Sequence, residues 1–304
     1  MSNKFNNVNM IGHLCIAGAC IIWGLMAPLG KDAMNQGISG IDMVTFRVVG
    51  GMICFWLYGW ITRENEKVAW RDKLLFAGAG LLGIVTNQCC FTIGLSLTSP
   101  ANASIMTTTM PVFTLLLTTL VLRERLTWHK ILGVALGISG ALILIAGSSQ
   151  ATESRAGNYV GDLMVIGAQC SFALYLTLFK KLIARYRVIT CMKWMMLWAV
   201  VLICPWSWHE VVQLNWAQIS ASAWYESAFV VFFGTFVAYI LMMNAQKTLR
   251  PTVVAMYNYV QPIVACLVSV AAGLATFGMP QAAAVLMIFT GVYLVTQRRI
   301  GAKI

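Results

Sequence analysis

Ten stretches of about twenty apolar residues, joined by short polar segments, leave this chain few folds to choose from. They cover residues 12–30, 42–61, 73–95, 101–122, 128–147, 160–180, 188–205, 222–246, 251–273 and 280–297. A helix needs roughly 20 apolar residues to cross a bilayer core. Only 10% of the 304 residues are charged and 59% are hydrophobic. Soluble domains carry about 25% charged residues, so a soluble fold is excluded. The joins are too short for a soluble catalytic domain. The expected fold is an all-α integral membrane protein with ten transmembrane helices.

The net charge of +11 would suit a nucleic-acid partner, but the basic residues sit at the ends of the spans. There they anchor and orient the chain in the lipid bilayer. With the N-terminus inside, 17 Lys and Arg fall on the cytoplasmic side. Among them are Lys4, Arg63, Arg123, Lys180, Arg185, Lys247 and Arg298. The outer side holds two, Lys31 and Arg155, and two more, Arg47 and Lys193, lie inside spans. That bias predicts both termini in the cytoplasm and a multi-pass protein of the cell inner membrane. No nucleic-acid partner is expected. The first apolar stretch is long enough to be a span itself, so it is not read as a cleavable signal.

The nine cysteines all fall within spans, and none forms a CxxC or Cys/His cluster. They read as small apolar packing residues, and no metal site or cofactor is expected. The sequence contains no GxxxxGK[ST] phosphate loop.

The chain repeats itself. At an offset of 149, residues 12–31 match residues 161–180 at seven of twenty positions, and Trp23 aligns with Phe172. At an offset of 151, Gly83 matches Gly234, Pro100 matches Pro251, Pro111 matches Pro262 and Gly140 matches Gly291. The expected units are residues 1–147 and 160–304, five helices each, joined by a polar linker over 148–159. Five is odd, so the second unit enters the membrane from the opposite side. Inverted repeats of this kind build transporters, with the substrate near the midplane between the halves.

These residues resemble the ten-helix EamA-like branch of the drug/metabolite transporter superfamily. The likeness is carried by Trp23-Gly24 in the first span and Thr45-Phe46-Arg47 in the second. It continues through Ser99-Pro100-Ala101 to Met110-Pro111, then Leu122-Arg123-Glu124-Arg125-Leu126, Gly133 to Gly140, and Gly291. It covers almost the whole chain. One departure is visible: Ala275 stands in the second half where Glu124 stands in the first. The resemblance implies a carrier of amino acids or similar metabolites, often an exporter.

The residues themselves point to a site. In the fourth span Ser104, Thr107, Pro111, Thr114 and Thr118 share one helical face. A polar stripe in an apolar helix faces protein or a water-filled cavity. Its counterpart in the ninth span carries Tyr257, Asn258 and Gln261. Thr107, Thr108, Tyr257, Asn258 and Gln261 are expected to line a cavity or to join helices by hydrogen bonds. Asn87 or Gln88 in the third span packs or faces the same cavity. Trp23, Tyr175 and Tyr239, near mid-depth, suit apolar moieties or helix packing. Arg47 binds a carboxylate or a partner helix, and Glu226 is the one acid expected inside a span. Pro28, Pro100, Pro111, Pro251 and Pro262 are the expected bend points.

The reading is a secondary transporter that exports a small organic metabolite such as an amino acid by alternating access. It would act as a monomer or homodimer. Within the same superfamily the alternatives are an uptake carrier or a drug exporter. A non-transporting scaffold or sensor is a further one. A membrane enzyme would need clustered His, Asp, Glu or Cys within the spans. His13, His129 and His209 all lie near loops, so no enzyme is expected.

Overall fold

The computed structural model describes residues 2–64, 66–98, 100–146, 159–216, 218–271 and 278–296. Residues 148–158 of the linker, with Arg155, lie outside it, as do Ala275, Arg298, Arg299 and Lys303. The side chains of Lys4 and Pro100 also lie outside the description.

Among the described residues the chain is helical and has no strand. The helices are α1 Ser2–Asn35, α2 Gly40–Ile61, α3 Trp70–Leu97, α4 in two pieces Pro100–Thr107 and Met110–Val121, and α5 Trp128–Ala146. Then come α6 Tyr159–Leu178, a short helix Lys180–Arg185, α7 Val188–Gln213, α8 Ala221–Thr248, α9 Pro251–Val268 and α10 Met279–Thr296. Nine of these are long and apolar enough to cross a membrane, and a shorter apolar helix covers Trp128–Ile143 in α5. The seventh stretch runs further than its apolar pattern predicts. α7 passes through Pro205 to Gln213, carrying Trp206 and Trp208 on its exposed surface.

Local chemistry sets the ends. Ser39 caps α2 by accepting from the Asp42 N–H at 3.1 Å, and Asp42 accepts from the Ser39 N–H at 3.0 Å. This reciprocal box satisfies two of the free donors at a helix start. Pro251 is the first residue of α9, where proline's missing N–H costs no bond.

Two helices loosen by one residue per turn, at matching places. π-helical turns occupy Leu81–Thr86 in α3 and Phe232–Val237 in α8, offset by 151 residues. A π-turn releases carbonyls from the regular ladder and marks a bend. Here they are taken up by side chains. Ser171 donates to the Leu82 carbonyl at 2.7 Å, and the Trp23 indole N–H donates to the Gly234 carbonyl at 3.0 Å. Gly83 and Gly234 leave room for a close neighbour. A Cβ on Gly83 would stand 2.7 Å from the Tyr175 ring, and one on Gly234 would stand 2.5 Å from the Met26 sulfur. Met26 and Tyr175 are themselves 149 residues apart.

α4 and α9 break just before their prolines. In α4 the Thr108 and Thr109 N–H groups donate to Ile105 and Met106, three residues back, both at 3.1 Å. In α9 a 3₁₀ turn covers Tyr257–Tyr259. Pro111 and Pro262 have no N–H to offer the carbonyls of Thr107 and Asn258, four residues earlier, so the helix tightens there.

α3 packs along α6, α2 along α7, α1 along α8 and α5 along α10. The approach of α3 to α6 is limited by backbone: a Cβ on Gly94 would lie 2.8 Å from the Gly161 carbonyl oxygen. Small residues let membrane helices approach this closely.

Polar contacts gather the loops. Arg185 pairs with Asp72 at 3.3 Å, and Tyr186 donates to the same carboxylate at 2.6 Å. Lys247 donates to the Tyr186 carbonyl. Hydrogen bonding to Asp72 raises the Tyr186 phenol above its ordinary pKa. At the other end, Lys31 donates to the Leu95 and Ser96 carbonyls at 2.8 and 3.1 Å. A cation there completes the last turn of α3.

Replacing Gly94 with valine forces α3 off α6 and is expected to cost about 1–3 kcal/mol. Gly167→Ala, where an added Cβ meets nothing within 4 Å, is expected to be close to neutral. Thermal melting in detergent measures both; equal melting points for the two variants would refute the packing argument.

Candidate functional site: a central polar chamber

A cavity with about 550 Å³ of empty space, counted to its open mouth, lies between α1, α2, α3, α4, α6, α8 and α9. Residues from both halves of the sequence form its walls. Trp23 and Met26 come from α1, Arg47 from α2, and Asn87, Gln88 and Phe91 from α3. Thr107 comes from α4, Gln169 and Phe172 from α6, Tyr239 from α8, and Asn258 and Gln261 from α9.

One wall is aromatic. Trp23 meets Phe172 edge-on at 6.3 Å and Tyr239 at 5.9 Å between ring centroids. Edge-to-face contacts of this kind fix ring orientation. The Trp23 N–H is already committed to Gly234, so its ring is held against the π-turn of α8. Tyr239 is held at both sides of its hydroxyl. It accepts from Gln88 Nε2 at 3.2 Å and donates to the Gly83 carbonyl at 3.4 Å, in the π-turn of α3.

The other walls are amides and hydroxyls. Asn87 donates to the Ala168 carbonyl at 3.0 Å, joining α3 to α6. Gln261 donates to Asn258 Oδ1 at 3.2 Å, and Asn258 contacts the Met110 sulfur. Thr107 donates to the Ser104 carbonyl at 2.7 Å. Thr107 and Asn258 stand on separate helices, each four residues before its proline, and both line the chamber. Arg47 is 4% exposed, and its Nε donates to Thr235 Oγ1 at 3.1 Å.

Trp23, Arg47, Asn87, Thr107, Tyr239, Asn258 and Gln261, singled out in the sequence, therefore share one chamber. Thr108, Tyr175 and Tyr257 are not among the residues that line it. Thr108 is buried, and its hydroxyl bonds back to Ile105 at 2.6 Å. Tyr175 is fully buried over Gly83, and its hydroxyl donates to Gln246 Oε1 at 3.0 Å. The Tyr257 hydroxyl lies 2.9 Å from His13 Nδ1. Glu226 is half-buried beside Asp32 of α1, away from the chamber. Pro28 lies within α1 on an exposed face. Pro100 and Pro251 open helices instead of bending them. Pro111 and Pro262 follow the breaks in α4 and α9.

Met26, Phe91 and Gln169 line the chamber without having been singled out. Gln169 carried a readable signal, since an amide at mid-span is costly unless bonded or hydrated. Phe91 carried none; it looks like any apolar residue of α3.

Helices long and apolar enough to cross a membrane, packed around an internal chamber, define a multi-pass membrane protein. The chain belongs to the EamA-like transporter family, whose sequence profile matches residues 10–146 and again 159–297. It is 23% identical over 203 residues to the uncharacterized transporter YyaM of Bacillus subtilis, covering 67% of each chain. It is 24% identical over 177 residues to an uncharacterized transporter of Archaeoglobus fulgidus, 58% of this chain and 60% of that one. A shorter match, 31% over 116 residues, is to a probable terminal-alkyne amino-acid exporter of Streptantibioticus cattleyicolor, 38% of this chain and 37% of the relative. A protein of known crystal structure shares the fold at a TM-score of 0.74 and 17% identity, over 97% of this chain and 98% of that one.

Trp23→Phe keeps the aromatic wall but leaves the Gly234 carbonyl without its donor. A buried group stripped of its partner costs about 1–3 kcal/mol. A lowered melting temperature in detergent is expected; no change would show that the carbonyl finds another donor.

Proposed function

We propose that this protein is a secondary transporter that exports a small organic metabolite, such as an amino acid, across the cell inner membrane. The observation that carries the reading is the chamber, walled by both halves of the chain at paired positions. Trp23 and Phe172 align at an offset of 149, and Gln88 with Tyr239 and Thr107 with Asn258 at 151. Two of these aligned pairs are in contact where the halves meet at the chamber wall, Trp23 with Phe172 and Gln88 with Tyr239.

In this reading the chain is two inverted five-helix repeats, residues 1–147 and 160–304, with a linker over 148–159, and all ten helices cross the membrane. The matching π-turns support it. So does the packing of Gly12 on Thr248 and Leu249, echoed by Gly161 on Leu97 and Thr98. The contacts joining Asp72, Arg185, Tyr186 and Lys247 put three loops at one end of the bundle. That grouping supports a common cytoplasmic side and cytoplasmic termini. The breaks before Pro111 and Pro262 are the places where the halves rearrange, exposing the chamber to one side and then the other. Export of an amino acid is supported by the relative named as a probable amino-acid exporter. The transporter works as a monomer or homodimer, on solute gradients.

Counterflow in proteoliposomes tests the reading. Preloaded amino acids and related metabolites are expected to drive uptake of the labelled solute. Silence across a broad panel, with folded protein, would reject it. Thr107→Ala and Asn258→Ala are expected to cut counterflow at least tenfold while melting within a few degrees of wild type. Parallel loss of melting temperature and transport would make these residues helix joiners instead.

A further inference from the structure

The chamber contains one fixed positive charge, and its lining offers nothing to offset it. None of the residues lining it is acidic. Among the described residues the ion pairs lie in or beside the loops: Lys130 with Glu124, Arg185 with Asp72, and Arg187 with Glu64. Among the described residues Arg47 has no carboxylate within pairing distance. A guanidinium held inside a span without a counter-charge is unfavourable. Something that enters the chamber must supply that charge.

Arg47 is held in place. Thr235 stands in the π-turn of α8, and its hydroxyl proton goes to the Val230 carbonyl, five residues back, at 3.2 Å. That leaves the Thr235 oxygen as an acceptor for Arg47 Nε. One of five N–H donors is thereby used. The four on the terminal nitrogens form the fork that fits two carboxylate oxygens. A second polar group is also unused. Gln88 is 1% exposed, and its Oε1 is buried without a partner, because its Nε2 is committed to Tyr239. The remaining near wall is the Trp23, Phe172 and Tyr239 cluster.

We propose that the cargo carries one carboxylate, which it places on Arg47, and a flat apolar group, which it lays against Trp23, Phe172 and Tyr239. A cargo that also carries an amino or hydroxyl group donates it to Gln88 Oε1. Thr235 is a positioning residue, acting through Arg47. A lone cation meets the same-sign charge of Arg47 and is excluded. A phosphate dianion brings one charge more than the chamber matches. This inference rests on the chamber being the transport site, and it specifies what that site accepts.

The test uses purified full-length protein and four matched probes: phenylalanine, 3-phenylpropanoate, phenylalaninamide and phenethylamine. Binding is measured by calorimetric titration in detergent and translocation by counterflow. The two carboxylates are expected to bind at least tenfold more tightly than the amide and the amine. Arg47→Gln removes that preference, Arg47→Lys keeps it with weaker binding, and Thr235→Val weakens carboxylate binding severalfold with little effect on the amide. A carboxylate preference that survives Arg47→Gln overturns the proposal. So does equal or tighter binding of the amine or amide. So does failure of both carboxylates to bind. Should Arg47→Gln not fold, the ranking of the four probes on the wild-type protein decides. Carboxylate binding without counterflow would uphold the site and reject the transporter reading. Counterflow of phenethylamine but not of the acids would do the reverse.

Discussion

Inside hydrocarbon, a carbonyl released from its helix has no water to turn to, so some other donor must be built in. That constraint ties this bundle together. The π-turns of α3 and α8 release carbonyls, and side chains in and around the chamber answer them. Trp23 bonds Gly234, Tyr239 bonds Gly83, and Ser171 bonds Leu82. Thr235 bonds Val230 while its oxygen holds Arg47. Trp23 and Tyr239, which line the chamber, are thus among the side chains that stabilise the bends around it. Neither the bends nor the chamber can change alone.

Much of this was legible in the sequence. The apolar stretches give the helices, because span length is a simple function of bilayer thickness. The paired prolines mark the breaks in α4 and α9, because a missing N–H has one consequence wherever it occurs. The π-turns were not legible, although Gly83 and Gly234 stood out as a pair. Nothing in a local run such as Leu81–Thr86 distinguishes an extra residue per turn from a regular helix. The difference comes from donors on other helices. The site divides the same way. Polar residues at mid-span, such as Asn87, Thr107 and Asn258, declare themselves by their cost. Tyr175 misleads because an aromatic at mid-depth fits a cavity wall and a packed interface equally well. Only its neighbour Gly83 decides, by making a slot the ring fills.

The chamber is paired in position but not in chemistry. Trp23 aligns with Phe172, Gln88 with Tyr239, and Thr107 with Asn258. In each pair one member differs from the other in hydrogen-bonding capacity or in bulk. Positions aligned in the two halves of the sequence thus surround a space with distinct sides, and in the proposed reading an unsymmetric solute settles there in one orientation.

Arg47 has an electrical side as well. Its charge lies within a span, so motion along the membrane normal does work against the transmembrane voltage, about 2.3 kcal/mol per elementary charge for a full crossing at 100 mV. A zwitterion leaves that charge standing, whereas a cargo whose one charge is the carboxylate seated on Arg47 cancels it. Voltage would then act on the empty protein and leave the loaded one nearly untouched. The resting potential would govern how the vacant carrier returns, and the solute gradient would govern how the loaded one delivers.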